Sequence, residues 1–192
     1  MSAPGAADAG PALLRAVFRR HAAGVAVVTA HGRGRPMGFT ATSLASVAAE
    51  PPLLSFNIAT ASSGRPAAAG AEHVGVHPLG EGRREPAETF ARPGADRFAP
   101  PTRWRRGPHG VPVPEGVLAR LVCGAVARVP AGDHRLVLAE AVAGDVPGAG
   151  RPLLHRGDAS TFRARAPCPR ESLATSQFTA LEGGGHGECT DE

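Results

Sequence analysis

Residues 131–142, AGDHRLVLAEAV, begin with a Gly-Asp turn and continue as an apolar run. Glycine and aspartate favour tight turns, and the run after them predicts a strand. The apolar residues 117–129 predict its hairpin partner, with a bulge or bend at Gly124. The turn would present His134 at a strand mouth, where an imidazole can act as acid, base or hydrogen-bond donor. The alternative is an ordinary surface histidine, since the chain contains eight.

Periodicity and turn residues predict further strands and a few short helices on both sides of this hairpin. The predicted strands are residues 24–29, 37–41, 53–58, 73–79 and 152–155. The predicted helices are residues 13–18, a segment opened by Ser62 and Ser63, and residues 83–90. Six or more strands without alternating helices predict a mostly β protein, with an antiparallel barrel and short peripheral helices.

Composition predicts one soluble domain. The 192 residues are 42% hydrophobic and 20% charged, which is typical of globular proteins. We expect a disordered segment at 1–10, a single domain at 11–165 and a flexible tail at 166–192. Residues 91–116 are rich in proline, glycine and arginine and predict a long surface loop.

Several other functional classes are not favoured. No apolar stretch is long enough to span a membrane and the N-terminus does not resemble a secretory signal, so a cytoplasmic protein is expected. All 21 basic residues are arginine, which we interpret as a genome-composition bias. The cluster at residues 103–106 is interpreted as a solvated loop, and nucleic-acid binding is not expected. The three cysteines have no metal-ligand spacing.

Residues 37–43, MGFTATS, place three hydroxyls where a strand leaves the sheet. Hydroxyls and freed backbone N–H groups at such a point could bond the polar edge of a planar heterocycle. They could equally cap their own backbone. The two possibilities stay open on the residues alone.

Two further motifs could bind phosphate. Ser62 and Ser63 stand at a predicted helix N-terminus, which attracts anions but is also a common place for capping serines. Arg97 and Phe98 lie in the long loop, where the arginine could meet a phosphate and the phenylalanine pack nearby. The alternative is a loop pinned to the core by its aromatic residues.

Together these motifs resemble the flavin reductase-like family, the FMN-binding split barrels that supply reduced flavin to two-component monooxygenases. The resemblance covers about residues 11–165. The segments that carry it are residues 18–29, 34–47, 50–54, 90–98, 132–134 and 155–157.

The resemblance implies a homodimer with FMN or FAD near the subunit interface, hydride transfer from NADH or NADPH, and a partner monooxygenase that uses reduced flavin. The residues implied to line the flavin ring and ribityl chain are Met37, Gly38, Phe39, Thr40, Ala41, Thr42, Ser43 and Asn57. Ser62 and Ser63 would hold the phosphate, with Arg97 and Phe98 nearby. Gly132, Asp133 and His134 would form the nicotinamide side, with His134 in contact with the nicotinamide.

The chain departs from the family pattern near the phosphate. Relatives often carry an arginine shortly before the paired serines and a threonine shortly after, where this chain has Thr60, Ala61 and Gly64. His77 replaces a family asparagine in the fourth strand. We therefore expect loosely held flavin. Two alternatives are a flavoprotein that acts directly on a small biosynthetic substrate and a flavin-binding homologue without reductase activity.

Overall fold

The structure, a computed structural model, describes residues 10–32, 34–60, 70–156 and 162–163. Two α-helices and twelve strands lie wholly within these residues. In chain order they are α1 Pro11–Phe18, β1 Ala23–Gly24, β2 Ala26–Gly32, β3 Arg35–Ala41, β4 Ala45–Ala48, β5 Leu53–Ala59, β6 His73–Pro78, α2 Arg84–Ala91, β7 Trp104–Arg106, β8 Pro112–Pro114, β9 Arg120–Ala131, β10 His134–Asp145, β11 Leu154–His155 and β12 Phe162–Arg163.

Seven strands form one antiparallel sheet in the order β3-β2-β6-β9-β10-β5-β4. Its two edge strands, β3 and β4, follow each other in the chain, so the sheet curls round until its edges approach across a short connection. The predicted mostly β fold, an antiparallel split barrel with short peripheral helices, is confirmed. We call the opening between β3 and the β4–β5 pair the seam.

The core lies on both sides of β2. Ala26, Val28 and Ala30 point into the barrel, while Val25 and Val27 point outward into a second cluster with α2. All five side chains are buried. A strand covered on both faces has no polar side, which explains the continuous apolar run at this position.

Some predicted elements need correction. The strand predicted from residue 117 begins at Arg120, and Val117 instead packs into the cluster beneath α2. The irregularities of the long hairpin lie at Val126 and Val142, not at Gly124, which pairs regularly with Glu140. Both valines are half exposed, so the extra residue at each irregularity is accommodated outside the core.

Two features were not predicted. β4 carries small, mostly exposed residues and shows little hydrophobic pattern. The predicted loop at 91–116 contains the β7–β8 hairpin, whose β8 strand is fully buried although two of its three residues are proline.

Some predictions fall outside the described residues: the helix after Ser62 and Ser63, and almost all of the two terminal segments. The bounds of the domain stay a prediction. Within the described part of the chain, no helix has the length and hydropathy needed to cross a membrane.

Candidate functional site

A cavity of about 530 Å³ opens at the seam. It contains much of the predicted site and lies where β3 ends, beside the outer face of β5 and the start of β10. Its lining residues are Phe39, Thr40, Ala41, Thr42, Ser43, Asn57, Ala59, Phe90, Ala91, Arg97, Ala131 and His134. We call it the seam cleft.

Strand register explains why Asn57 and His134 meet here. His134 pairs with Ala59, and Leu136 pairs with Asn57. Directly paired residues share a face of the sheet, as do residues two apart along one strand. The side chains of Asn57 and His134 therefore lie on one face, opposite to the buried Phe56 and Ile58.

The hydroxyls at the end of β3 have different roles. The Ser43 hydroxyl accepts a 2.8 Å hydrogen bond from the backbone N–H of Asn57, and so continues the β4–β5 ladder by a side chain. The Thr40 hydroxyl donates to the carbonyl of Ala87 at 2.6 Å and fastens β3 to α2. Thr42 is exposed on the cavity wall. Backbone capping thus accounts for two of the three hydroxyls, and both still line the cleft.

The turn before β10 holds the imidazole. Gly132 has φ +59°, a conformation that favours glycine in a two-residue hairpin. The backbone N–H of Thr60 donates to the carbonyl of Asp133 at 2.8 Å, which ties the turn to the end of β5. Nδ1 of His134 lies 2.6 Å from Oδ1 of Asp133.

This short contact defines the protonation of the Asp133–His134 dyad. An ionised carboxylate only accepts hydrogen bonds, so Nδ1 of His134 carries the proton in this contact. Nε2 is the ring nitrogen that does not contact Asp133. The hydrogen bond from His134, together with its charge, holds the pKa of Asp133 below its ordinary value. Asp133 is almost fully exposed, whereas the His134 side chain is 43% exposed.

Arg97 is anchored by backbone carbonyls. Nε donates to Phe90 at 2.9 Å, Nη2 donates to Arg92 at 2.7 Å, and burial lowers the pKa of the guanidinium. Phe98 meets Phe90 and Trp104 edge-on, each at 5.3 Å between ring centroids. The geometry fits a loop pinned to the core, and Arg97 nevertheless lines the seam cleft.

Three predicted site residues, Met37, Gly38 and Phe98, lie beside the cleft rather than in it. They line a neighbouring cavity of about 560 Å³, which we call the loop cavity. Its other lining residues are Arg35, Pro36, Gly94, Ala95, Asp96, Arg97, Ala99 and Trp104. The predicted flavin segment is therefore divided between two compartments, with Arg97 in the wall of both.

His77 lies away from both cavities. Its side chain is fully buried, with Nε2 3.0 Å from the hydroxyl of Thr29 and 3.2 Å from the carbonyl of Pro112. Burial lowers the pKa of His77 to about 4, so the ring is neutral at pH 7. Its role is to join β6 to β8, and it contributes nothing to the lining of the cleft.

The seam cleft fits a flavin. Its volume lies in the usual range for small-molecule sites. Phe39 and Ala59 supply apolar surface for the faces of a planar ring, while Thr42 and Asn57 supply polar groups for its edge. Ser62 and Ser63 lie outside the described residues. Sequence reasoning missed Ala59 and Ala131, whose residue type carries no signal of a site. It did not assign Phe90 and Ala91 to the site either, although both lie in the 90–98 segment that carries the family resemblance.

Comparison with known proteins shows the family of the chain. Residues 18–162 match the model of the flavin reductase like domain. An NADH:FMN oxidoreductase from Rhodococcus qingshengii is 45% identical over 124 residues, which are 65% of each protein. The chain thus spans slightly less than two thirds of that relative.

Two other curated relatives differ in their roles. The actinorhodin polyketide dimerase of Streptomyces coelicolor is 38% identical over 167 residues, 85% of this chain and 93% of that protein. The reductase component of a flavin-dependent trigonelline monooxygenase from Acinetobacter baylyi is 39% identical over 126 residues, 65% of this chain and 40% of that protein.

A solved structure agrees in fold. The flavin reductase domain protein from Arthrobacter sp. FB24 superposes with a TM-score of 0.77 and 39% identity, covering 83% of this chain and 98% of that one. With the family match spanning most of the sequence, the chain belongs to the flavin reductase like domain family.

Proposed function

We propose that this protein is an NAD(P)H-dependent flavin reductase that supplies reduced FMN or FAD to a partner monooxygenase. The observation that carries the proposal is the seam cleft, which places His134 beside Asn57 and the hydroxyl-rich end of β3 in a cavity of flavin size. The Rhodococcus oxidoreductase supports NADH and FMN as reactants, and the Acinetobacter reductase component supports a monooxygenase as recipient.

In this proposal the residues of the protein bind and orient the flavin and the nicotinamide, and these two cofactors carry out the redox reaction. Residues 39–43 and Asn57 bind the flavin ring and ribityl chain, Ser62 and Ser63 bind the phosphate, and His134 contacts the nicotinamide. A nicotinamide and a flavin bound together supply the hydride donor and acceptor. Holding two reactants in contact range is itself a large contribution to rate.

The Asp133–His134 dyad has a defined part in this arrangement. Asp133 holds Nδ1 of the imidazole and so fixes the orientation of the ring toward the cleft. Nε2 is then available as a hydrogen-bonding group on the nicotinamide side. Because the turn is also tied to the end of β5 through the N–H of Thr60, the imidazole does not depend on Asp133 alone.

Anaerobic mixing of the protein with each pairing of NADH or NADPH with FMN or FAD tests the activity. Rapid loss of flavin absorbance with at least one pair is the expected result. Absence of reduction with all four pairs would contradict the proposal, and would favour a flavin-binding homologue without reductase activity.

We also propose a homodimer in the cytoplasm, without membrane or nucleic-acid partners. The four large apolar side chains of α1 are all exposed: Leu13 by 43%, Leu14 by 61%, Val17 by 55% and Phe18 by 60%. Such an apolar helix face needs a covering surface. The same region borders the cleft, since α1 residues line a further cavity together with Thr42, Ser43 and Asn57. A second subunit seated here covers both.

A second candidate function is direct action on a small biosynthetic substrate with permanently bound flavin. The match to the actinorhodin polyketide dimerase favours it, because this relative aligns over 93% of its length. Retention of flavin separates the two, since a reductase releases its product while a direct-acting flavoprotein keeps its cofactor.

A further inference from the structure

A cavity of about 340 Å³ lies apart from the seam cleft and the loop cavity, and shares no lining residue with either. Three segments form its wall: residues 80–83 between β6 and α2, residues 116–120 at the entry of β9, and residues 147–151 between β10 and β11. Each segment contributes one arginine. The three arginines are Arg83, Arg120 and Arg151. We call this cavity the arginine pocket.

Backbone hydrogen bonds fix the three segments relative to one another. The N–H of Glu81 donates to the carbonyl of Arg151 at 3.0 Å, and the N–H of Gly148 donates to the carbonyl of Leu118 at 3.1 Å. The N–H of Leu118 in turn donates to the carbonyl of Pro78 at 2.9 Å. The pocket is therefore preorganised by its backbone, and a ligand does not have to order these segments when it binds.

The backbone also determines where the guanidinium of Arg83 lies. Its Nε donates to the carbonyl of Gly116 at 2.8 Å. Gly116 has φ +69°, and a Cβ built on it would collide with the guanidinium of Arg83. Glycine at position 116 thus leaves the space that this guanidinium occupies. Within the described part of the chain, Nη1 and Nη2 of Arg83 have no hydrogen-bond acceptor.

The positive charge of the pocket is only partly balanced. Nη1 of Arg120 donates to Oδ2 of Asp145 at 3.2 Å. Among the residues that the structure describes, no carboxylate lies within ion-pair distance of Arg83 or Arg151, and Glu81 is the one acidic residue in the lining. A concave surface with an excess of one charge concentrates counter-ions. Guanidinium groups bind phosphate oxygens by strong, charge-assisted hydrogen bonds.

We propose that the arginine pocket binds a polyvalent phosphate, such as inorganic pyrophosphate or the phosphate chain of a small phosphorylated metabolite. The guanidinium of Arg151 and the terminal nitrogens of Arg83 donate to phosphate oxygens, and the partly offset charge of Arg120 adds to the attraction. The volume lies at the lower end of the range for small-molecule sites. The site is independent of the proposed reductase function, because none of its residues lines the seam cleft.

Calorimetric titration of the protein with inorganic pyrophosphate tests the site. The titration is run without flavin and again with saturating FMN. An ionic strength of about 0.15 M screens weak attraction between exposed charges. We expect saturable binding that FMN does not displace.

The test variant is Arg151→Ala. Arg151 is exposed and its side chain makes no hydrogen bond to the described residues, so its removal leaves the fold intact. Loss of a charge-assisted phosphate contact should weaken pyrophosphate binding about tenfold. The matched control is Arg105→Ala, which removes an exposed arginine of β7 that lines none of the three cavities and should leave pyrophosphate binding unchanged.

Absence of saturable pyrophosphate binding would overturn the inference, as would equal affinity in Arg151→Ala and the parent protein. Displacement of pyrophosphate by FMN would also overturn it, because the binding would then belong to the flavin site. Binding of a short polyglutamate peptide without binding of pyrophosphate would assign the pocket to an acidic protein segment instead. Flavin reduction is measured separately, so the failure of this inference and the failure of the proposed function are distinguished.

Discussion

The carboxylate of Asp133 fixes which nitrogen of His134 carries a proton. The 2.6 Å contact to Nδ1 leaves Nε2 as the group that can face the cleft. An imidazole in this position can orient a nicotinamide without touching the flavin phosphate. Its removal should therefore affect one substrate and spare the other.

His134→Ala should raise the KM for the nicotinamide nucleotide and slow flavin reduction, with flavin affinity little changed. Stopped-flow reduction at varied NADH and a separate flavin titration measure the two effects. His31→Ala serves as control, because His31 lies on β2 and lines neither cavity. Reduction kinetics equal to those of the parent protein would leave His134 as an ordinary surface histidine.

The buried His77 should make stability depend on pH. Its pKa is about 4 in the folded protein against 6.5 when unfolded. Between these values the unfolded chain binds more protons, so the free energy of unfolding falls as the pH is lowered from about 6.5 to about 4. The full loss is on the order of 3 kcal/mol.

Denaturant unfolding at pH 7 and pH 5 tests this dependence. His77→Asn keeps a polar side chain that does not titrate, so the fall in stability between the two pH values should be smaller in the variant. Equal falls in both proteins would assign the pH dependence to other groups.

The family resemblance, added to the residue types, indicated much of the candidate site but not its division between two cavities. Phe39 to Ser43, Asn57, Arg97 and His134 are predicted residues that the fold brings to one cleft. Met37, Gly38 and Phe98 line the neighbouring cavity instead. The difference arises from the packing of α2 and the long loop against β3, a long-range contact for which the sequence carries no periodic signal.

At the scale of elements, the close packing of β3 on α2 separates the two cavities. A Cβ built on Gly38 would lie 2.8 Å from a ring carbon of Phe90 and 2.9 Å from the carbonyl oxygen of Val28. Glycine is thus required at position 38 because neighbouring atoms lie too close for a Cβ, and not because the chain turns there. Phe90 lines the cleft, so its displacement would change the shape of the cleft.

Gly38→Ala should destabilise the protein by about 1–3 kcal/mol, because the added methyl group overpacks a buried contact. It should also weaken flavin binding. Gly24→Ala is the matched control, since a Cβ there has no neighbour within 4 Å. Unfolding curves and flavin titrations of both variants measure the effects. Equal stability and flavin affinity in the two variants would show that the β3–α2 contact can relax at no cost.

The long apolar elements could be predicted from their own residues, and the short ones could not. β2 has five buried positions in a row, and β10 contains a long apolar run, so both show a pattern in the sequence. β4 contains four residues, and β7 and β8 contain three each. Their pairing is imposed by tertiary contacts, which outweigh local preference in such short segments.

At the scale of the whole molecule, exposed apolar surface lies close to the cleft. Val129 and Leu136 are cross-strand partners on the outer face of the barrel, exposed by 51% and 37%. Leu136 is also the partner of Asn57, a lining residue of the cleft. Together with the apolar face of α1, this surface supports a dimer whose interface adjoins the cleft.

Leu14→Glu should shift the protein from dimer to monomer, because it places a charge on the apolar face of α1. Light scattering at micromolar concentration measures the mass. Val146→Glu is the control, since Val146 is 79% exposed and lies outside α1. A parent protein of monomer mass that retains activity would contradict the proposed dimer.

The last prediction is that flavin is held at micromolar affinity and leaves after reduction. Thr60, Ala61 and Gly64 lack the arginine and threonine contacts that relatives use near the phosphate. A charge-assisted contact contributes about 1.5–3 kcal/mol, so losing one weakens binding roughly tenfold or more. Arg97 is a poor substitute, because its guanidinium already holds the loop through Phe90 and Arg92.

The colour of the purified protein, followed by a flavin titration, measures this affinity. We expect colourless protein after gel filtration, and Gly64→Thr should tighten flavin binding by supplying a hydroxyl where relatives have one. Ala22→Thr is the control, because it adds a hydroxyl far from the paired serines in sequence and outside the seam cleft. Loose binding follows from the missing phosphate contacts and suits a protein that treats flavin as a substrate. A yellow protein that keeps stoichiometric flavin through gel filtration would contradict it and would favour the direct-acting flavoprotein.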